Sequence, residues 1–108
     1  MTKPGLKYSH TGIPTDSPEG LSIYLEEFKI YINDFNESPY AVEWLYFEKD
    51  SPFPEILKTK AHVAYECDDI EEAMKAGTVL VPPFDAGPGL KCAFIEVDGH
   101  GVELMQRS

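Results

Sequence analysis

Two stretches of the chain carry histidine and glutamate in matching positions. Lys7-Tyr8-Ser9-His10-Thr11-Gly12-Ile13-Pro14-Thr15-Asp16 aligns with Thr59-Lys60-Ala61-His62-Val63-Ala64-Tyr65-Glu66-Cys67-Asp68. Each has a His, an apolar residue three positions on and an Asp six positions on. Further along each half, Val42-Glu43-Trp44-Leu45 matches Val102-Glu103-Leu104-Met105. The His-to-Glu separations are 33 and 41 residues, so the halves read as copies of one unit. Two imidazoles and two carboxylates make a competent first shell for Zn, Ni, Co, Mn or Fe, with one or two positions left for water or substrate. A glutamate on an apolar concave face is costly unless it is paired or coordinated. A divalent ion supplies that compensation.

These four residues fall on segments that read as strands. Leu6 to Ile13 alternates and stops at Pro14, and Thr15 to Gly20 is a turn-rich break. Leu21 to Asp34 is ambiguous. Leu21, Tyr24, Leu25, Phe28 and Ile32 fit a helix face, whereas Phe28, Ile30 and Ile32 alternate as in a strand. Aromatic and β-branched residues tip Phe28 to Ile32 toward strand, and with Tyr40 to Phe47 this segment reads as a hairpin across the loop Asn33 to Pro39. Asp50 to Lys60, with Pro52 and Pro54, joins the halves. Thr59 to Glu66 is a strand, and Asp68 to Gly77 is a helix with an aspartate N-cap, acids in its first turn and Gly77 at its end. Thr78 to Val81, Leu90 to Val97 and Val102 to Gln106 are strands. The first of them stops at Pro82-Pro83, and Asp98 to Gly101 is a tight connection between the other two.

Side chains alternate along a strand. This places His10 with Tyr8 and Gly12, His62 with Ala64 and Glu66, Glu43 with Leu45 and Phe47, and Glu103 with Met105. If first and last strands of each half meet on one concave face, the two His and two Glu converge. Tyr8 and Glu66 then stand as possible neighbours of the site. Trp44, Tyr46 and Phe47 read as core aromatics, and His100, between two glycines, as solvent-facing.

Composition limits the alternatives. The chain has 108 residues, 19 acidic against 9 basic, a formal charge of −10, and 13 aromatics. The length suits one compact domain. Without a Lys/Arg cluster, a nucleic-acid backbone binder is not expected. No apolar run is long enough for a membrane span or a leader, so a soluble cytoplasmic protein is expected. Cys67 and Cys92 lie 25 residues apart and read as reduced core thiols. There is no phosphate-binding glycine loop and no Ser/His/Asp arrangement.

His62-Val63-Ala64-Tyr65-Glu66-Cys67-Asp68-Asp69-Ile70, followed by a helix and closed by Val102-Glu103-Leu104-Met105, resembles the C-terminal module of the vicinal oxygen chelate superfamily. That group includes glyoxalase I, methylmalonyl-CoA epimerase, extradiol dioxygenases and antibiotic resistance proteins. The first half resembles the other module at His10-Thr11-Gly12-Ile13 and at Tyr40 to Phe47. The resemblance implies an α+β fold of two βαβββ-type modules, about residues 5–50 and 58–107, forming a cupped mixed sheet within one glyoxalase-like domain over 1–108. Only Thr15 to Leu25 is available for the first module's helix, with Pro18 and Gly20 inside it, so that helix is expected to be shortened or absent. The superfamily's metal positions carry over to His10, Glu43, His62 and Glu103.

The function this implies is a metal-dependent isomerase or lyase that acts on a small oxygenated metabolite. A divalent ion would chelate two neighbouring oxygens while Glu43 or Glu103 moves a proton through an enediolate. The alternative is a metal-free protein of the same superfamily that sequesters a small molecule, in a groove lined by Trp44, Tyr46, Tyr31 and Phe94. In either case short members of the superfamily imply a homodimer.

Overall fold

The computed structural model describes residues 5–108. Eight strands form a single mixed sheet that curls into a half-barrel. In chain order they are β1 (Leu6–Pro14), β2 (Ile23–Leu25), β3 (Ile30–Ile32), β4 (Val42–Phe47), β5 (His62–Cys67), β6 (Thr78–Gly87), β7 (Leu90–Val97) and β8 (His100–Arg107). The spatial order is β2-β3-β4-β1-β5-β8-β7-β6. Each half runs outward from a central strand: β1 pairs parallel with β4, β5 pairs parallel with β8, and β1 and β5 pair antiparallel in the middle. The four candidate residues therefore sit on the four adjacent central strands.

Short helical segments cover parts of the sheet. Helix α1 (Glu55–Thr59) sits in the connection between the halves, and Leu57, 1% exposed, packs where Gly101 leaves room. A Cβ on Gly101 would lie 2.5 Å from Leu57 Cδ2. Helix α2 (Ile70–Ala73) continues into a 3-10 turn, Met74–Ala76. Its N-cap is Asp69, whose carboxylate accepts the Glu72 N–H at 3.3 Å, and the turn ends at Gly77. Ile70, Ala73 and Met74 press onto the outer face of the second half, against Ala93, Ile95 and Leu104. The inner face has its own apolar cluster of Ala64, Cys92 and Met105, with Phe35, Phe84 and Leu90 beside it. Both cysteines are buried and unbridged. Among the described residues no helix is long and apolar enough to cross a membrane.

Several local expectations are corrected. The ambiguous stretch 21–34 forms β2 and β3 around a turn at Glu26–Lys29, in which Lys29 takes φ 56. No helix follows β1, so the first-module helix is absent rather than shortened. The loss uncovers the outer face of the first half. Trp44 occupies the place along β4 that Leu104 holds along β8, yet Trp44 is 43% exposed and Leu104 2%. Trp44 is thus not the core aromatic its sequence neighbourhood implies, because nothing like α2 lies over it. Strand β6 does not stop at Pro82-Pro83. It continues to Gly87 with register shifts on both sides of the prolines, which an edge strand tolerates because one side of its backbone needs no partner. Helix α1 lies in a segment whose prolines read as linker. Pro54 is tolerated there because it precedes the first turn, where its missing N–H removes no helical hydrogen bond.

Candidate metal centre

Strand register brings the four candidate residues together. Gly12 is paired with Glu43 on one side and His62 on the other, and Ala64 with His10 on one side and Glu103 on the other. The side chains of His10, Glu43, His62 and Glu103 rise from the inner face over this Gly12–Ala64 pair of small residues. Each offers one ligand atom, and the four atoms lie within 4.8 Å of one another. Glu103 is the hub, with Oε1 3.2 Å from His62 Nε2 and 3.4 Å from His10 Nε2. Glu43 reaches His10 Nε2 only at 3.6 Å. Gly12 is required for space, since a Cβ there would stand 2.3 Å from His62 Cε1 and 2.6 Å from Nε2.

Neighbouring side chains hold these groups in place. His10 Nδ1 hydrogen-bonds Ser9 Oγ at 3.0 Å, and its ring stacks on Phe35 at 4.0 Å between centroids. His62 meets Phe94 edge to face at 5.2 Å. The Asn33 side chain holds β4 on both sides of Glu43: its amide donates to the Val42 carbonyl at 3.1 Å, and its carbonyl accepts the Trp44 N–H at 2.6 Å. Phe35 and Asn33 were not evident as site residues, since both fall in a stretch of turn formers. The one local signal is Asp34, which caps the 3-10 turn Phe35–Glu37 by accepting the Asn36 N–H at 2.9 Å. Replacing Asn33 by Ala removes two hydrogen bonds, one from the exposed Trp44 N–H and one to the part-buried Val42 carbonyl. A loss of about 1 kcal/mol in chemical denaturation is expected, together with a weaker site, because Glu43 is no longer fixed.

Burial and charge pull the titrating groups in opposite directions. Desolvation disfavours the charged form of His10, but the Glu103 and Glu43 carboxylates outweigh it and push the imidazole up to about 9. Glu103 is likewise desolvated, yet His10 and His62 hold it down at about 2. Burial raises Glu43, against the opposing pull of His10. His10 Nε2 has no hydrogen-bond partner although it is buried, and it points at both glutamates. A buried imidazole nitrogen without a hydrogen bond, within a set of two nitrogens and two oxygens, could serve as a ligand to a divalent ion. Ligand bonds of about 2.0–2.2 Å put two donors on one ion about 3.3–3.6 Å apart in a tetrahedron and at most about 4.4 Å apart when trans, so the four atoms, within 4.8 Å of one another, would have to draw inward to hold one ion.

The centre lies at the end of an apolar cavity of about 210 Å³. His10, Glu43 and Glu103 line it together with Phe28, Phe53, Phe84 and Phe94. Three larger clefts, about 450 Å³ beside Gly87–Leu90, about 440 Å³ beside Lys7, Glu66 and Arg107, and about 340 Å³ beside Leu6 and Ala73, contain none of the quartet.

Other expected neighbours lie elsewhere. Tyr8 is not on the His10 face: a register shift between Tyr8 and His10 breaks the alternation, and Tyr8 pairs with Tyr65 on the outer face, as a β-bulge does. Glu66 is drawn to the rim by Arg107, 3.4 Å away. Of the groove aromatics only Phe94 lines the cavity, while Trp44, Tyr46 and Tyr31 alternate to the opposite face. His100 is solvent-exposed, as its glycine neighbours imply.

No known family profile matches the sequence, and no curated protein matches it. Among solved structures, a hypothetical protein from Bacillus halodurans C-125 is similar in fold, with a TM-score of 0.70 over 95% of each chain at 19% identity. At that identity the likeness shows the fold alone.

Proposed function

We propose that the protein is a divalent-metal-dependent isomerase or lyase of the vicinal oxygen chelate type, built from two related modules and acting on a small oxygenated molecule. The observation that carries this reading is the buried convergence of His10, Glu43, His62 and Glu103, one pair from each half, at the end of an apolar cavity. When bound, a divalent ion there supplies Lewis acidity to neighbouring substrate oxygens. His10, Glu43, His62 and Glu103 would hold it, and the apolar walls exclude water. Glu43 is the better placed of the two acids to carry a proton. It faces the cavity with a single long contact to His10, whereas Glu103 is engaged by both imidazoles. Burial also lifts Glu43 toward a proton-accepting range and the histidines hold Glu103 far below it.

Elemental mass spectrometry on the purified chain, beside Glu43→Gln and His62→Ala, tests the reading. Close to one divalent ion per chain that is lost in His62→Ala supports it. Absence of metal after reconstitution removes it, and a small molecule that binds equally well to Glu43→Gln then identifies a metal-free binding protein. Homodimerisation is part of the same proposal, and sedimentation velocity decides it: a species of one chain's mass removes it.

Metal uptake has a definite pH dependence. Below about 9 His10 carries a proton that the ion must displace. Affinity is therefore expected to rise about tenfold from pH 7 to 8 and to level off above pH 9. Competition with a chromophoric chelator at these pH values reads the slope. A flat profile would mean that metal binding displaces no proton from His10 in this range.

A further inference from the structure

The cavity that ends at the metal centre also constrains what occupies it. Its volume is about 210 Å³, against about 150 Å³ for a hydrocarbon cavity that takes benzene, so it holds roughly eight to ten non-hydrogen atoms. Much of its wall is hydrocarbon: Phe28, Phe53 and Phe84, with Leu45, Met105 and Phe94 nearer the quartet, Phe94 beside His62. The aromatic rings are already arranged edge to face, Phe28 against Phe84 at 4.9 Å and Phe53 against Phe94 at 5.3 Å between centroids. Among the described residues no lysine or arginine lines the cavity. Lys29 is engaged by Asp50 and Arg107 by Glu66. The ionisable lining consists of the three centre residues and the buried Cys92 thiol.

An ion held by two glutamates leaves the centre with no surplus positive charge, so a phosphate or carboxylate at the far end of a ligand would be buried without a partner. An ammonium would fare no better, because both acids are committed to the centre. We propose, building on the metal-centre reading, that the ligand is an uncharged molecule of this size with an oxygenated end at the quartet and an aryl or branched hydrocarbon group among the four phenylalanines. Phosphorylated metabolites fall outside this class on charge, and coenzyme A thioesters and glutathione conjugates on both size and charge.

Three α-hydroxyketones share one oxygenated end and differ only in the other. These are 2-hydroxyacetophenone (phenyl), hydroxyacetone (methyl) and dihydroxyacetone phosphate (phosphooxymethyl). Calorimetric titration of each into metal-loaded and metal-free protein, with metal content measured on the same samples, gives the test. The phenyl ketone is expected to bind at least tenfold more tightly than hydroxyacetone, and the phosphate no more tightly than hydroxyacetone. Phe84→Ala should narrow the phenyl-to-methyl ratio by about fivefold, and Phe84→Leu serves if the alanine variant does not fold. Phosphate binding as tight as phenyl binding, or no gain from phenyl, overturns the class while measured metal uptake leaves the centre standing. If no metal is taken up, the centre fails, and the same ratio measured on the metal-free protein still decides the class.

Discussion

Glu103→Gln is expected to lower divalent-metal affinity a hundredfold or more and to destabilise the metal-free protein at neutral pH. The first effect follows from position. Glu103 lies between both imidazoles, and loss of an anionic ligand exceeds the about 10–100-fold typical of removing a group that only orients a ligand. The second follows from linkage. His10 is lifted from 6.5 to about 9 in the folded chain, with Glu103 its largest favourable partner. A raised histidine stabilises the fold fully below its unfolded value, and the effect fades as pH climbs through the folded value. The shift corresponds to about 3 kcal/mol, part of it due to Glu43, so the variant should lose about 1–3 kcal/mol at pH 6. Glu103 reports the same interaction from the other side and adds nothing to that figure. Its depressed carboxyl means that the advantage persists above about 4.5 and disappears only as pH falls toward 2. Urea denaturation of wild type and variant, both stripped of metal, should give a gap that is widest between pH 4.5 and 6.5 and closes by pH 10. A gap that stays constant over that range would show that the His10–Glu103 pairing does not set the stability.

The centre was legible from sequence because its information is discrete. A His and a Val-Glu recur in each half, and strand alternation then decides which side chains share a face. That rule works for Glu43 with Leu45, for His62 with Ala64 and for Glu103 with Met105, since these strands are regular through the site. It fails at Tyr8, where the register slips by one residue before His10. Nothing in Tyr8-Ser9-His10 announces a bulge, because bulges depend on which strand lies alongside. The exposure of Trp44 has a similar origin. Whether an aromatic is core depends on what covers it, and the missing helix is a property of the distant segment 15–22. Phe35 escaped notice for a third reason: its contact with His10 is made across the chain by a three-residue turn too short to leave a periodic pattern. The hydrocarbon end of the cavity was illegible as a unit, since Phe28, Phe53, Phe84 and Phe94 come from a turn, the inter-half connection and two strands.

Gly12→Ala has the other large expected effect, and its sign separates two explanations of the glycine. Within a strand, alanine restricts the unfolded chain more than glycine does, and at an unstrained position the change is worth about 0.4–1 kcal/mol of added stability. Gly12 does not have a positive φ, so backbone conformation alone favours the substitution. Space opposes it. The new methyl would stand 2.3 Å from His62 Cε1, and the imidazole cannot simply swing aside: Phe94 meets its ring and Glu103 engages Nε2. Overpacking of this kind costs about 1–3 kcal/mol. The net expectation is a less stable protein whose His62 is displaced from the quartet, with metal affinity reduced by at least tenfold. The other half shows the contrast. Ala64, which holds the matching place and pairs in register with His10, already carries a methyl, and the visible difference between the two strands is the register shift just before His10 in β1. If Gly12→Ala unfolds at higher denaturant than wild type and retains its metal, then His62 has room to move, and the close approach of β1 to that ring is not what fixes the centre.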